Sequence, residues 1–113
     1  MSEARRGQIW LADSGVPVGH EQGKVRPALV VSADSWNGHA STLTVRPITR
    51  TSHDFPTRIE LESTAQRGLD GTSYARCEEM RAISERHHLR PLGWADPLVM
   101  FSMSRTLRLF LEA

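Results

Sequence analysis

Apolar and polar positions along the chain change their period several times, and the changes divide it into short strands and one terminal helix. Gln8 to Ala12 mixes polar and β-forming residues and stops at Asp13-Ser14-Gly15, which predicts a first strand ending in a turn. Residues 15–24 follow with Pro17, Gly19 and Gly23 and no periodicity, the pattern of a long mobile loop. Ordering such a loop costs entropy that its few apolar groups do not offset, so it is the first place to look for function. Arg26 to Ser32 is then an apolar, β-branched run with Pro27 near its start, and predicts a central strand.

Asp34 to Gly38 carries turn chemistry, with room for one helical turn before a glycine that can take positive φ. Thr42 to Thr49 predicts the next strand; Pro47 points to a sheet edge or a strand end, and Thr49 to the place where the strand leaves the sheet. Thr57 to Leu61 alternates apolar with charged residues as a half-buried antiparallel strand does. After a turn at residues 66–71, Ser73 to Ile83 reads as one long or bulged strand, and His87-His88 falls in the connection before Leu89.

Asp96-Pro97 supplies an N-cap side chain and a proline suited to the first helical position. Val99, Met103, Leu107, Phe110 and Leu111 then recur at spacings of three and four, which predicts a helix face packed on the sheet. Several strands followed by one helix give the fold class α+β: a small, partly closed antiparallel β-barrel with a C-terminal helix, formed by residues 1–113 as a single domain.

Composition adds limits to this picture. The chain has 14 Lys and Arg against 13 Asp and Glu, a formal net charge of +1, so any nucleic-acid binding has to come from a local cluster of cations and not from bulk charge. No apolar run approaches the ~18 residues that a membrane span needs. No apolar signal core of about 7–15 residues follows the charged start, so export is not expected. The single cysteine, Cys77, has no intrachain disulfide partner and no zinc-type spacing around it, which fits a reducing, cytoplasmic location and predicts no metal or other cofactor.

Three segments, in this order, resemble the MazF/PemK family of toxin endoribonucleases from type II toxin–antitoxin systems. They are Arg6-Gly7-Gln8-Ile9-Trp10-Leu11-Ala12-Asp13, the run from Gly19 to Ser32 through Lys24-Val25-Arg26-Pro27, and Pro47-Ile48-Thr49. Pro56-Thr57 and Cys77-Glu78-Glu79-Met80-Arg81-Ala82-Ile83-Ser84 are similar too. The resemblance implies an SH3-like barrel of the MazF/CcdB type, a homodimer, cleavage of single-stranded RNA, and inhibition by a cognate antitoxin of the MazE/PemI kind lying along the substrate groove. It also implies that Arg26 and Thr49 act in catalysis; His20, Glu21, Gln22, Lys24, Ser73, Glu79 and Arg81 are candidates for RNA contact. Two positions depart from the family pattern, which often has glutamine at Glu79 and aspartate at Thr72.

The chemistry of these residue types fits metal-independent RNA cleavage. The ribose 2′-hydroxyl attacks the adjacent phosphorus, a cation stabilises the negative phosphorane, and other groups move protons. A guanidinium such as that of Arg26 suits the cation's task, because it stays charged and its planar fork holds two phosphate oxygens. The Thr49 hydroxyl can orient the phosphate or relay a proton, and His20 is the acid–base candidate by chemistry. Glu21 and Gln22 can hydrogen-bond bases or ribose, Lys24 adds positive charge, and Arg46, Arg50, Arg76 and Arg81 can extend it. Trp10, Trp36 and Trp94 read as core or dimer-contact residues, and Cys77 as a small buried apolar one. A second reading is a CcdB-like toxin that keeps the barrel but binds a protein target such as DNA gyrase, and a third is a degenerate nuclease that retains only antitoxin binding.

Overall fold

A computed structural model describes residues 4–13, 25–39, 41–52, 54–64 and 66–113, apart from the side chains of Glu85 and Leu89. Its strands are β1 (Gln8–Asp13), β2 (Val25–Val30), β3 (Thr42–Thr49), β4 (Arg58–Leu61), β5 (Ser73–Arg76), β6 (Arg81–Ser84) and β7 (His88–Trp94). A single helical turn, α1 (Asp34–Asn37), precedes β3, and a 15-residue helix, α2 (Pro97–Leu111), ends the chain. The strands form one curled antiparallel sheet in the order β4-β5-β3-β2-β1-β7, with β6 paired to β3 beside that path. This is the α+β half-barrel with a C-terminal helix that the sequence implies.

Strand β3 is the centre of the sheet. Along one edge Thr42 to Val45 pair with β6, and further on Ile48 and Thr49 pair with β5. Pro47 falls in the interval between those two partners, where the missing N–H does least harm to a ladder. That is how a proline is accommodated in a central strand: near the strand's end and not at the sheet edge, the second of the two positions expected for it. The same change of partner explains why Ser73 to Ile83 is not one strand: β5 and β6 serve different stretches of β3, and the turn at Cys77 and Glu78 divides them.

Side chains alternate between two apolar layers. One holds Ile9, Leu29, Val31, Ile48, Leu61, Leu69, Ala75 and Cys77 together with Val99 and Met103 of α2. The other, on the opposite face of the sheet, holds Trp10, Ala12, Ala28, Val30, Leu43, Val45 and Ile83. Helix α2 begins as expected: Asp96 accepts a hydrogen bond from the Val99 N–H at 2.8 Å, and Pro97 fills the first turn. The second carboxylate oxygen of Asp96 takes a 2.7 Å bond from Arg67, whose Nη1 also donates to the Glu62 carbonyl, so the helix start is tied to the turn before β5.

In that turn Gly68 has φ +68° and lies against the Leu92 carbonyl, where a Cβ would come within 2.0 Å of the oxygen, so no other residue fits there. Strand β7 is absent from the sequence reading, which leaves His88 in a loop. Gly38, expected to use positive φ, has an ordinary right-handed conformation at φ −76°. The α2 stripe holds only in part: Val99 and Met103 are buried, whereas Phe110 and Leu111 are 52% and 55% exposed beyond the sheet. No helix among the described residues is long and apolar enough to cross a membrane.

Met103 is the α2 residue sealed most completely into the sheet, at 0% exposure. Met103→Ala is expected to lower unfolding stability in urea by about 2–5 kcal/mol. A loss below about 0.5 kcal/mol would show that α2 does not close this layer.

Candidate active site

The register of three neighbouring strands places the candidate catalytic residues. Arg26 of β2 lies opposite Ala12 of β1, and on the other side the β2–β3 ladder pairs Val30 with Val45, Leu29 with Arg46 and Ala28 with Pro47. Continuing that register by two residues sets Arg26 across from Thr49. Directly opposed residues share a sheet face, and Arg26 and Thr49 alternate in phase with Ala28 and Val45, away from the helix-covered layer.

The row extends further on both sides. Ala12 pairs with His88 of β7, Thr49 with Tyr74 of β5, and Tyr74 with Glu60 of β4. One line across the sheet thus runs His88, Ala12, Arg26, Thr49, Tyr74 and Glu60, all on one face. The His88 ring stands edge-on to Trp10 of the same face, with ring centroids 5.5 Å apart.

Arg26 is half-buried, and its guanidinium has no ion pair or hydrogen bond among the described residues. An arginine so placed keeps its donors for an anion, and the fork suits two phosphate oxygens. The Thr49 hydroxyl oxygen accepts a hydrogen bond from the Thr51 N–H at 3.3 Å, which leaves its own O–H free to donate.

Beside this row lies a chain of alternating charges. Glu78 accepts from Arg58 Nε at 2.9 Å and from the Thr57 hydroxyl at 3.0 Å, and pairs with Arg76 at 3.3 Å. Glu79 links Arg76 at 3.2 Å to Arg81 at 2.6 Å. Arg81 pairs in register with Val45 and so lies on the Arg26 face, and its charge and that of Glu79 are tied into this rim. Burial acts to raise the Glu78 carboxyl pKa; hydrogen bonds from its own backbone N–H, Arg58 and Thr57, with the Arg58 charge, outweigh it and hold the carboxyl below its ordinary value.

Arg46, which the sequence offers as part of a positive surface, faces the helix-covered layer and is 1% exposed. Its Nε and Nη2 have no hydrogen-bond partner among the described residues. Burial lowers its pKa, opposed by Cys77 and Glu78. The Cys77 thiol is buried as expected, and burial pushes it up to about 11, with Arg46 opposing and Glu78 adding to the shift.

Ser73 stands apart from the other site candidates. It pairs with Leu61 on the face opposite to Thr49, is 2% exposed, and donates its hydroxyl to the Gly71 carbonyl at 2.9 Å. Its neighbour Tyr74 is the β5 residue paired with Thr49 on the Arg26 face. Tyr74, Glu60 and His88 were missed by the sequence reading; strand alternation could have found Tyr74 had β5 been read as ending at Arg76. His20, Glu21, Gln22 and Lys24, with the predicted loop that holds them, lie outside the described residues. Among those that are described, no group of three or more His, Cys, Asp or Glu is placed to hold a metal ion.

Comparison with known proteins identifies the family and the fold. Residues 5–111 match the family described as PemK-like, MazF-like toxin of type II toxin–antitoxin system. The chain is 33% identical over 114 residues to endoribonuclease MazF9 of Mycobacterium tuberculosis, covering 96% of each protein. In fold it is similar to the crystal structure of MazF from Deinococcus radiodurans, with a TM-score of 0.82 at 24% identity over 97% of each chain. It is similar as well to a MazE–MazF crystal structure from the same organism, with a TM-score of 0.80 at 24% identity over 96% of each chain.

The depressed Glu78 carboxyl makes a pH-dependent contribution to stability. A carboxyl held low in the folded protein stabilises it above the unfolded value of about 4.3, and that gain disappears as pH falls through the folded value. Glu78→Gln is therefore expected to cost about 1.5–3 kcal/mol at pH 7, measured by urea unfolding, with the gap to wild type narrowing below about pH 4. A gap that stays constant from pH 7 to pH 3 would contradict the assignment.

With a curled antiparallel sheet closed by a C-terminal helix and a family match across residues 5–111, the chain belongs to the PemK-like, MazF-like toxin family of type II toxin–antitoxin systems.

Proposed function

We propose that this chain is a toxin endoribonuclease that cuts single-stranded RNA without a metal ion, leaving 2′,3′-cyclic phosphate and 5′-hydroxyl ends. What supports the reading is the Arg26 guanidinium, without an ion pair or hydrogen bond among the described residues, which the continued β2–β3 register sets across from the strand-end Thr49. In the reaction the 2′-hydroxyl gives up its proton as its oxygen bonds to phosphorus, the bond from phosphorus to the 5′-oxygen breaks, and that oxygen takes a proton. Arg26 holds the non-bridging oxygens as negative charge builds on them, and Thr49 fixes the phosphate in line for attack. By chemistry alone His20 is the candidate for moving a proton, since an ordinary imidazole titrates near pH 6.5.

The toxin works in the cytoplasm as a homodimer held in check by a cognate antitoxin. Leu98, Phe101, Leu109, Phe110 and Leu111 expose apolar surface along α2, of the kind that a subunit interface covers. The MazE complex of a structurally similar MazF supports a protein inhibitor for this chain too. A CcdB-like gyrase binder has no use for a free arginine facing a strand-end threonine, which is why the nuclease is preferred.

Purified protein incubated with cellular RNA in EDTA is expected to cut it and to leave cyclic phosphate ends. Arg26→Ala is expected to lower kcat/KM by about 10²–10³, the size of losing one stabilising donor. Thr49→Ala is expected to fold and to lose most activity. Cleavage that chelation abolishes, or that survives in Arg26→Ala at the wild-type rate, would overturn the proposal.

A further inference from the structure

The row across the sheet does not end at Thr49. Tyr74 lies directly opposite it in the β3–β5 ladder, and Ala75 beside it packs into the helix-covered layer, so strand alternation turns the Tyr74 ring to the Arg26 face. Tyr74 is half-buried, and its hydroxyl has no hydrogen bond among the described residues. Tyr74 thus combines a partly exposed ring with a hydroxyl that no described residue engages. Neighbouring strands are about 4.8 Å apart, so the ring stands one strand from the hydroxyl that would touch the scissile phosphate. Next to it in the row, Glu60 is exposed and without an ion pair among the described residues, so this end of the row is open.

We infer that Tyr74 is a binding residue for the RNA: its ring stacks on the base of a nucleotide flanking the scissile phosphate, and so sets where along the strand the cut falls. Resting on the nuclease reading, the inference adds an aromatic platform beside the phosphate-directed Arg26 and Thr49. Unstacked bases of single-stranded RNA are taken up on aromatic side chains in this way, and each stacked base contributes enough to be measured by substitution. Arg26 and Thr49 serve any sequence alike. Tyr74 engages a base, and therefore gives the phosphate a defined neighbour.

The test uses RNA oligonucleotides that carry the site cut by this protein, with 2′-deoxyribose at the scissile position to block cleavage. A set of these has one base removed at each position in turn, and binding is measured for wild type, Tyr74→Ala and Tyr74→Phe. Wild type is expected to lose about 5- to 100-fold in affinity when one particular flanking base is removed. Tyr74→Ala is expected to lose a similar factor on the intact oligonucleotide and to be indifferent to removal of that same base, while Tyr74→Phe behaves as wild type. Wild-type affinity in Tyr74→Ala, or undiminished sensitivity of that variant to every base, would overturn the inference while leaving the nuclease standing. A wild type that neither cuts nor binds RNA would overturn the nuclease reading itself.

Discussion

Antiparallel register is the constraint on which the site depends. Arg26 faces Thr49, as the proposed chemistry requires, because β2 is held between β1 and β3 with Ala28 opposite both Trp10 and Pro47. A slip of one residue would turn every side chain of β2 to the other face, sending Arg26 into the helix-covered layer and Leu29 toward the substrate side. The apolar layers forbid the slip, since Ala28 and Val30 are buried on one face and Leu29 on the other. Packing that stabilises the sheet therefore also fixes the distance and direction between the arginine and the threonine.

Among the described residues, charge is distributed so that no carboxylate engages Arg26. Glu78 and Glu79 are shared among Arg58, Arg76 and Arg81, and Arg58 is 5% exposed at the side chain where Glu78 meets it. Such partly desolvated pairs fix geometry more than they add stability, and breaking one is costly because it strands the other charge. With the carboxylates near the rim already engaged, the local positive potential at Arg26 does not have to come from the net charge of +1.

The sequence was legible where local chemistry and tertiary environment agree. The Asp96-Pro97 helix start, the β2 run and the exit at Thr49 all have local causes, and the structure contains them. Strand β7 was not legible because Pro91 and Gly93 interrupt its pattern and its pairing with β1 is bulged in two places. The division of Ser73 to Ile83 into two strands follows from the changing partners of β3, which no local signal records. In α2, Phe110 and Leu111 keep the helical period but extend past the sheet, so periodicity alone assigns them to the wrong environment. Within the site, Arg26 and Thr49 were named through the family resemblance, whereas Tyr74 became visible only once the ladder aligned it with Thr49.

The central claim is that Arg26 and Thr49 act on one phosphate. A crystal structure of the protein with an RNA carrying 2′-deoxyribose at its cleavage site tests that most directly. The account predicts the scissile phosphate with its non-bridging oxygens within hydrogen-bond distance of both the Arg26 guanidinium and the Thr49 Oγ1. A scissile phosphate bound out of reach of either side chain would contradict it.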